Sequence, residues 1–296
     1  MVEAYAEADK TFNLATPSNL PRLLGAVSDD RRSAFFQGQQ VFRDKLQALR
    51  AAAGRRDDGP CSGCSNAVIT AYPTIVGAEH VGMTLREYED FVFDACLPDL
   101  EDPVAYWRAF HEKQQQLVDA LNGTSTLHVV AEDTDFRLGI AGRSFVNASG
   151  QSNMPDGEIF VGPVEGSLEG RVAFSLPTFW EGKRIEGMRL EFKKGRVVKA
   201  SAAVNDAALQ SALSTDEGAR NVGEFAIGTN RGIREPIGDC LFDEKVAGTF
   251  HIALGAGLAG NTNVSMIHWD VVSDLRQGGE IYADDRLIYR DGEFLI

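Results

Sequence analysis

The chain has 296 residues and a formal net charge of −14, with 44% apolar and 24% charged residues. This length and apolar fraction suit one large globular domain or two ordinary ones and exclude a disordered chain. The acidic balance argues against nucleic acid and anionic membrane surfaces as partners, and no apolar run approaches the ~20 residues of a spanning helix.

The N-terminus, "MVEAYAEADK", is acidic and lacks the basic and apolar regions of a signal peptide, so a cytoplasmic protein is expected. Ser28 is placed to cap an amphipathic helix over residues 29–53. "CSGC" puts Cys61 and Cys64 in a polar loop; neither Cys96 nor Cys240 supplies a second pair at zinc spacing, so the two loop thiols read as incidental. "NAVITAYPT" (66–74) predicts a short buried strand ended by Pro73. "TLREYEDFVFDACL" opens on a capping box, Thr84 and Glu87, with Leu85, Tyr88, Val92 and Ala95 at helical spacing. The next helix has Asp102 as N-cap, Pro103 in its first turn and Gly123 past its end, with Val104, Trp107, Leu117 and Leu121 as the buried stripe and His111 as a solvated histidine.

From Leu127 the texture changes to short alternating runs between Gly-rich turns, the pattern of antiparallel sheet, interrupted by one predicted helix over 205–221. The fold class is therefore α+β. Residues 1–124 form part of an N-terminal α/β domain, and residues 125–296 a mainly antiparallel β C-terminal domain with a few helices.

Two of the five histidines lie in "HIALGAGLAGNTNVSMIHWD" (251–270). On a strand, residues i and i+2 share a face, so His268 and Asp270 point the same way while Trp269 points into packing. His251 shares its face with the small Ala253 and Gly255, and the Gly/Asn-rich loop after it can turn the chain so that the two imidazoles meet. Three glutamates sit at or just before strand beginnings: Glu158 and Glu224, each after a glycine, and Glu244 in "LFDEK". A charge at the head of an apolar strand suits a carboxylate projected into a cleft. Imidazoles with several carboxylates make the ligand set of a hydrolytic two-metal centre using zinc, cobalt or manganese. Singly, each residue is equally a hydrogen-bonded core histidine or a chance Gly-Glu; their co-occurrence points to a site.

"NMPDGEIFVGPVEGSLEG", "GRVVKA", "GARNVGEFAIGTN", "LFDEKVAGTFHIALG" and "SMIHWDVV" together closely resemble the thermophilic metallo-aminopeptidase family of the aminopeptidase T and aminopeptidase S type. The resemblance runs from about Ala71 and is densest from Arg143 onward. It implies dimeric dinuclear peptidases that remove N-terminal residues from peptides, with ligands falling on Glu158, Glu224, Glu244, His251, His268 and Asp270. It also implies that residues 125–296 are the metal-binding catalytic domain, that Glu224 is the bridging carboxylate, and that Glu158 and Glu224 act in catalysis.

Two departures stand out. Where the family carries a tyrosine seven residues after the first histidine, this chain has Leu258, and its sequence is shorter at the N-terminus. They set up an alternative, a metal-binding homologue with impaired catalysis. A carboxylate-pair glycosidase is a third possibility, but it leaves both histidines unexplained.

Overall fold

The computed structural model describes residues 11–15, 67–97 and 101–296. The helix expected over 29–53 and the Cys61/Cys64 pair lie outside these residues.

Two strands from the N-terminal part of the chain and one from its middle form a small parallel sheet. β2 (Ala67–Ala71) pairs with β1 (Thr11–Ala15) on one side and β6 (Asn153–Met154) on the other. β2 is the strand expected in "NAVITAYPT", but Val68, Ile69 and Thr70 are half-buried, not fully buried. α1 (Ile75–Val81) and α2 (Leu85–Cys96) follow. The capping box of α2 is present: Thr84 Oγ1 accepts from Glu87 N at 3.3 Å, and Glu87 Oε2 accepts from Thr84 N at 2.8 Å.

α3 (Pro103–Leu121) starts as expected, with Asp102 Oδ1 accepting from Ala105 N. Its buried residues are Gln114, Val118 and Leu121, and it packs on β5 (Val146–Ala148). The predicted stripe is corrected at its start: Val104 is 59% exposed, because the first turns of α3 line an open cleft instead of the core. His111 is also not a solvated side chain. It is half-buried, with Nδ1 2.7 Å from Ser149 Oγ.

The rest of the chain builds two large antiparallel sheets around one core and a small two-stranded one, β9 (Thr178–Trp180) with β10 (Lys183–Ile185). The eight-stranded sheet has the order β12 (Arg196–Ser201), β11 (Arg189–Lys193), β8 (Glu169–Ala173), β4 (Thr134–Gly139), β3 (Thr126–Ala131), β16 (Glu280–Ala283), β17 (Arg286–Arg290), β18 (Glu293–Phe294). The five-stranded sheet has the order β15 (His268–Asp274), β14 (Thr249–Gly255), β13 (Val222–Gly228), β7 (Glu158–Val161), then β5. Phe136 of β4 meets Phe225 of β13 and Phe250 of β14 at ring-centroid distances of 6.2 and 5.7 Å, joining the sheets through their inner faces. The architecture is α+β, as expected.

The helix predicted over 205–221 is shorter: α4 spans Asp206–Ala212, and a single 3₁₀ turn follows at Gly218–Arg220. The carboxylate of Asp216 accepts from Ser265 Oγ at 2.8 Å and Met266 N at 2.6 Å, a tertiary demand that a continuous helix would not meet.

A second apolar cluster joins Ala78, Tyr88, Val92 and Ala95 to Ile233, Phe242 and Val246. The N-terminal helices thus shoulder the segment that contains α5 (Cys240–Asp243) and leads into β14.

Candidate metal centre

The outer face of the five-stranded sheet holds the charged residues singled out in the sequence. On β13, Phe225 and Ile227 face the shared core, so Glu224 faces away; on β7, Ile159 and Val161 face the core and Glu158 away. On β14 and β15, His251, His268 and Asp270 take the same outer face, opposite Phe250, Ile252, Trp269 and Val271. The pairing of Ala253 with Asp270 and of Gly255 with His268 brings the two strands into the register the sequence suggests. Glycine before each glutamate has a local cause. Gly157 has φ +126°, and a Cβ there would lie 2.7 Å from Asn230 Cβ. Gly223 occupies a bulge in the β13–β14 pairing, where a Cβ would lie 2.3 Å from Ala256 O.

His251 Nε2 is 3.4 Å from Glu158 Oε2 and 3.5 Å from Glu224 Oε1. His268 Nε2 is 3.4 Å from Glu224 Oε2 and 3.3 Å from Asp270 Oδ1. Glu224 therefore belongs to two triads, offering one oxygen to each. Glu244 stands apart from both histidines. It follows α5, not a strand head, and groups with Cys240 and Asp270.

The residues fit a metal. Among the described residues, Glu158 Oε2, Glu224 Oε2 and Asp270 Oδ1 are buried carboxylate oxygens that receive no formed hydrogen bond, an arrangement that calls for a cation. Ligand atoms ~2.1 Å from a tetrahedral zinc lie roughly 3.4 Å from one another, the spacing found here between histidine nitrogens and carboxylate oxygens. His268 Nδ1 contacts Ala256 O at 2.8 Å, the kind of outer hydrogen bond that orients a ligating imidazole. His251 Nδ1 is buried with no such partner.

Electrostatics agree. Burial pushes the His251 imidazole down, but Glu224, Glu158 and Asp270 together raise it to about 9. Burial also opposes the charged form of His268, and Asp270 and Glu224 hold it well above its ordinary value. Glu224 is driven up by burial and brought below the usual carboxylate value by the two imidazoles that face it. Burial raises Glu158 to about 8 despite the adjacent Lys245 ammonium.

Sequence reasoning misses Lys245 and sets aside Cys240. Lys245 is fully buried, its ammonium in contact with Glu244 and 3.4 Å from Glu158 Oε1. Burial disfavours its charge, but Glu158 and Glu244 hold its pKa well above the ordinary lysine value. The sequence carries little signal for it: Lys245 follows Asp243 and Glu244 in "LFDEK" and reads as one more charge before the apolar strand. The Cys240 thiol donates to Glu244 Oε2 at 3.2 Å and to Asp270 Oδ2 at 3.6 Å.

A cavity of about 180 Å³ opens onto Glu158, Glu224, Glu244, His268 and Asp270. Leu258 lines it at the position where the resemblance would place a tyrosine, and the polar side chains across the wall include Gln151, Ser152 and Asn153.

Residues 62–294 match the thermophilic metalloprotease (M29) family. The chain belongs to that family. Among curated relatives it is 28% identical to aminopeptidase T of Thermus aquaticus, over 91% of this chain and 71% of the relative. It is 32% identical to aminopeptidase T of Thermus thermophilus, over 68% of this chain and 56% of the relative. It is 31% identical to aminopeptidase AmpS of Bacillus subtilis, over 64% of this chain and 52% of the relative. This M29 chain thus spans about half to seven-tenths of the length of these relatives. The solved structure of wild-type AmpT from Thermus thermophilus shares its fold, with a TM-score of 0.77 at 23% identity over 100% of this chain and 78% of that one. A 2,5-dihydroxypyridine dioxygenase from Pseudomonas putida KT2440 shares it more distantly, with a TM-score of 0.56 at 15% identity over 88% of this chain and 76% of that one. The fold alone therefore does not name the reaction. No helix among the described residues is long and apolar enough to cross a membrane.

Proposed function

We propose that this chain is a metal-dependent aminopeptidase that removes N-terminal residues from peptides through a dinuclear centre of zinc, cobalt or manganese. The observation that carries the reading is Glu224, a buried carboxylate shared between two triads that each contain one histidine. His251, Glu158 and Glu224 would hold one ion, and His268, Asp270 and Glu224 the other. When bound, the ions would supply Lewis acidity toward the scissile carbonyl and lower the pKa of a water.

The chain's own residues divide the remaining work. Glu158 and Glu224 each offer an oxygen toward a histidine, so the same two carboxylates would ligate metal and carry the catalytic role expected of them. Glu244, the further ligand expected from the resemblance, lines the cavity outside both triads with its oxygens engaged by Lys245 and Cys240; a carboxylate of the cavity would take a proton from the water and return it to the leaving amine. The apolar core behind the sheet and the small size of the cavity limit bulk water at the reacting groups. The reading includes a cytoplasmic homodimer, as the family resemblance implies, with no nucleic-acid or membrane partner; the net charge of −14 supports the last.

Leu258 favours a second reading, a metal-binding homologue with impaired catalysis, since losing one oxyanion donor typically costs about 10²–10³ in rate. Hydrolysis of a panel of aminoacyl p-nitroanilides separates the two. The purified protein is stripped of metal, then reloaded with cobalt, zinc or manganese beside a His268→Ala control. Metal-restored cleavage absent from the control establishes the peptidase. No cleavage by folded, metal-loaded protein establishes the second reading.

A further inference from the structure

The two triads have different surroundings. Glu158 offers Oε2 toward His251, but its other oxygen, Oε1, lies 3.4 Å from the Lys245 ammonium. Lys245 is fully buried, so its charge is not screened by water. Its backbone is fixed as well: Lys245 N donates to Phe242 O, and Lys245 O accepts from Asn230 N at 2.9 Å. The same ammonium also contacts Glu244. In the other triad, Asp270 Oδ1 is nearer His268, at 3.3 Å, than His251, at 3.7 Å, and among the described residues its second oxygen pairs with no lysine or arginine and accepts the Cys240 thiol.

The imidazoles differ in the same direction. Nδ1 of His268 is tied to Ala256 O, whereas Nδ1 of His251 is buried without a partner among the described residues. An imidazole whose second nitrogen donates a hydrogen bond is both better oriented and a stronger ligand. A carboxylate already neutralised by an ammonium is a weaker one, and a divalent ion beside it is repelled by the buried like charge.

We propose that the two metal positions are unequal. The His268–Asp270–Glu224 position is the tight one, and Lys245 is the positioning residue that makes the His251–Glu158–Glu224 position the weak one. This rests on the dinuclear reading above. Lys245 thereby gives the enzyme one retained ion and one exchangeable ion, with the exchangeable ion at the fully buried histidine.

Calorimetric titration of metal-free protein with Co²⁺, followed in parallel by cobalt absorption, tests this without reference to activity. The unaltered protein is expected to show two binding steps at least ten-fold apart in Kd. His268→Ala should abolish the tighter step and His251→Ala the weaker. Lys245→Met should tighten the weaker step ten-fold or more and move the tighter step less than two-fold. Two equal steps, loss of the weaker step in His268→Ala, or a weaker step that Lys245→Met leaves in place or loosens would each overturn the inference while leaving the dinuclear reading intact. A folded protein that takes up fewer than two ions would overturn both. If Lys245→Met does not fold, the spacing of steps in the unaltered protein and their assignment by the histidine variants still decide the matter.

Discussion

On β11 of the eight-stranded sheet burial alternates strictly: Leu190 and Phe192 face the core, while Arg189, Glu191 and Lys193 are exposed. On β13 of the five-stranded sheet all seven residues are buried, Glu224 among them. Glu191 and Glu224 are the same residue type on strands of one β-sandwich. The first pairs with Lys199 in solvent at 2.6 Å, and the second has a buried carboxylate oxygen that, among the described residues, meets only an imidazole at 3.4 Å and receives no formed hydrogen bond. An amphipathic sheet that leaves its polar face in water explains the first pattern. The second is costly for folding unless a cation offsets it, because an uncompensated buried charge is expensive. The difference between the sheets therefore locates function better than either sheet alone. Where a strand buries its polar face, the residues there serve something other than the fold.

Neighbouring substitutions on β13 probe this contrast most strongly. Glu224→Ala removes the carboxylate shared by both triads, and kcat/KM should fall by roughly a thousand-fold or more, since metal stabilisation supplies several kcal/mol. Retention of either ion after dialysis should fall with it, while the metal-free protein should melt no lower than the unaltered one. A metal-free variant that melts much lower would assign Glu224 to the fold instead. One residue along, Phe225→Ala opens a cavity against Phe136 and Phe250 and should lower unfolding stability by about 3–5 kcal/mol in denaturant titrations. Metal stoichiometry of the remaining folded protein should be unchanged.

Much of this contrast is legible in the amino-acid sequence. Alternation in "MIHWDVV" puts His268 and Asp270 on one face, and the glycines before Glu158 and Glu224 mark a strained turn and a bulge. The capping box at Thr84 and Glu87 is local chemistry and is read directly. Long-range pairing is not legible in the same way. β3 pairs with β16 across most of the domain, and periodicity says which face a residue takes but not which strand lies beside it. The sequence suggests a strand head for Glu244, yet the residue ends a short helix, because Asp239 caps α5 by accepting from Leu241 N. Lys245 escapes a reading by pattern because a buried lysine becomes legible only once its carboxylate partners are assembled from β7 and the end of α5. The end of α4 depends on Asp216 serving the loop that carries Ser265 and Met266, far along the chain.

Asp274 closes β15 at the end away from His268, opposite Thr249, and gives a smaller effect. Burial opposes its charge, but hydrogen bonds from Arg276 hold its pKa below the ordinary 3.8. A depressed carboxylate contributes stability that is fully present above the unfolded value and is lost as pH falls through the folded value. Unfolding stability of the unaltered protein should therefore decline more steeply in acid than that of Asp274→Asn. The two should differ by less than about 1 kcal/mol near neutrality, because the pair is partly exposed. Parallel pH profiles for the two proteins would remove Asp274 from the acid response.

The smallest expected effect returns to the outer face of the eight-stranded sheet. Glu191 and Lys199 stand directly opposite on β11 and β12, so Coulomb attraction acts between them at short range. Water surrounds both side chains, and holding two long side chains in one geometry costs entropy. Glu191→Ala should therefore change stability by no more than about 0.5 kcal/mol, with metal retention and hydrolysis unaltered. Because glutamate-to-alanine is the same chemical change at 191 and 224, the pair of variants separates the residue type from its environment. A large stability loss at 191 would mean that outward charge on this sandwich is structural, and the reading of Glu224 from its burial would lose its contrast.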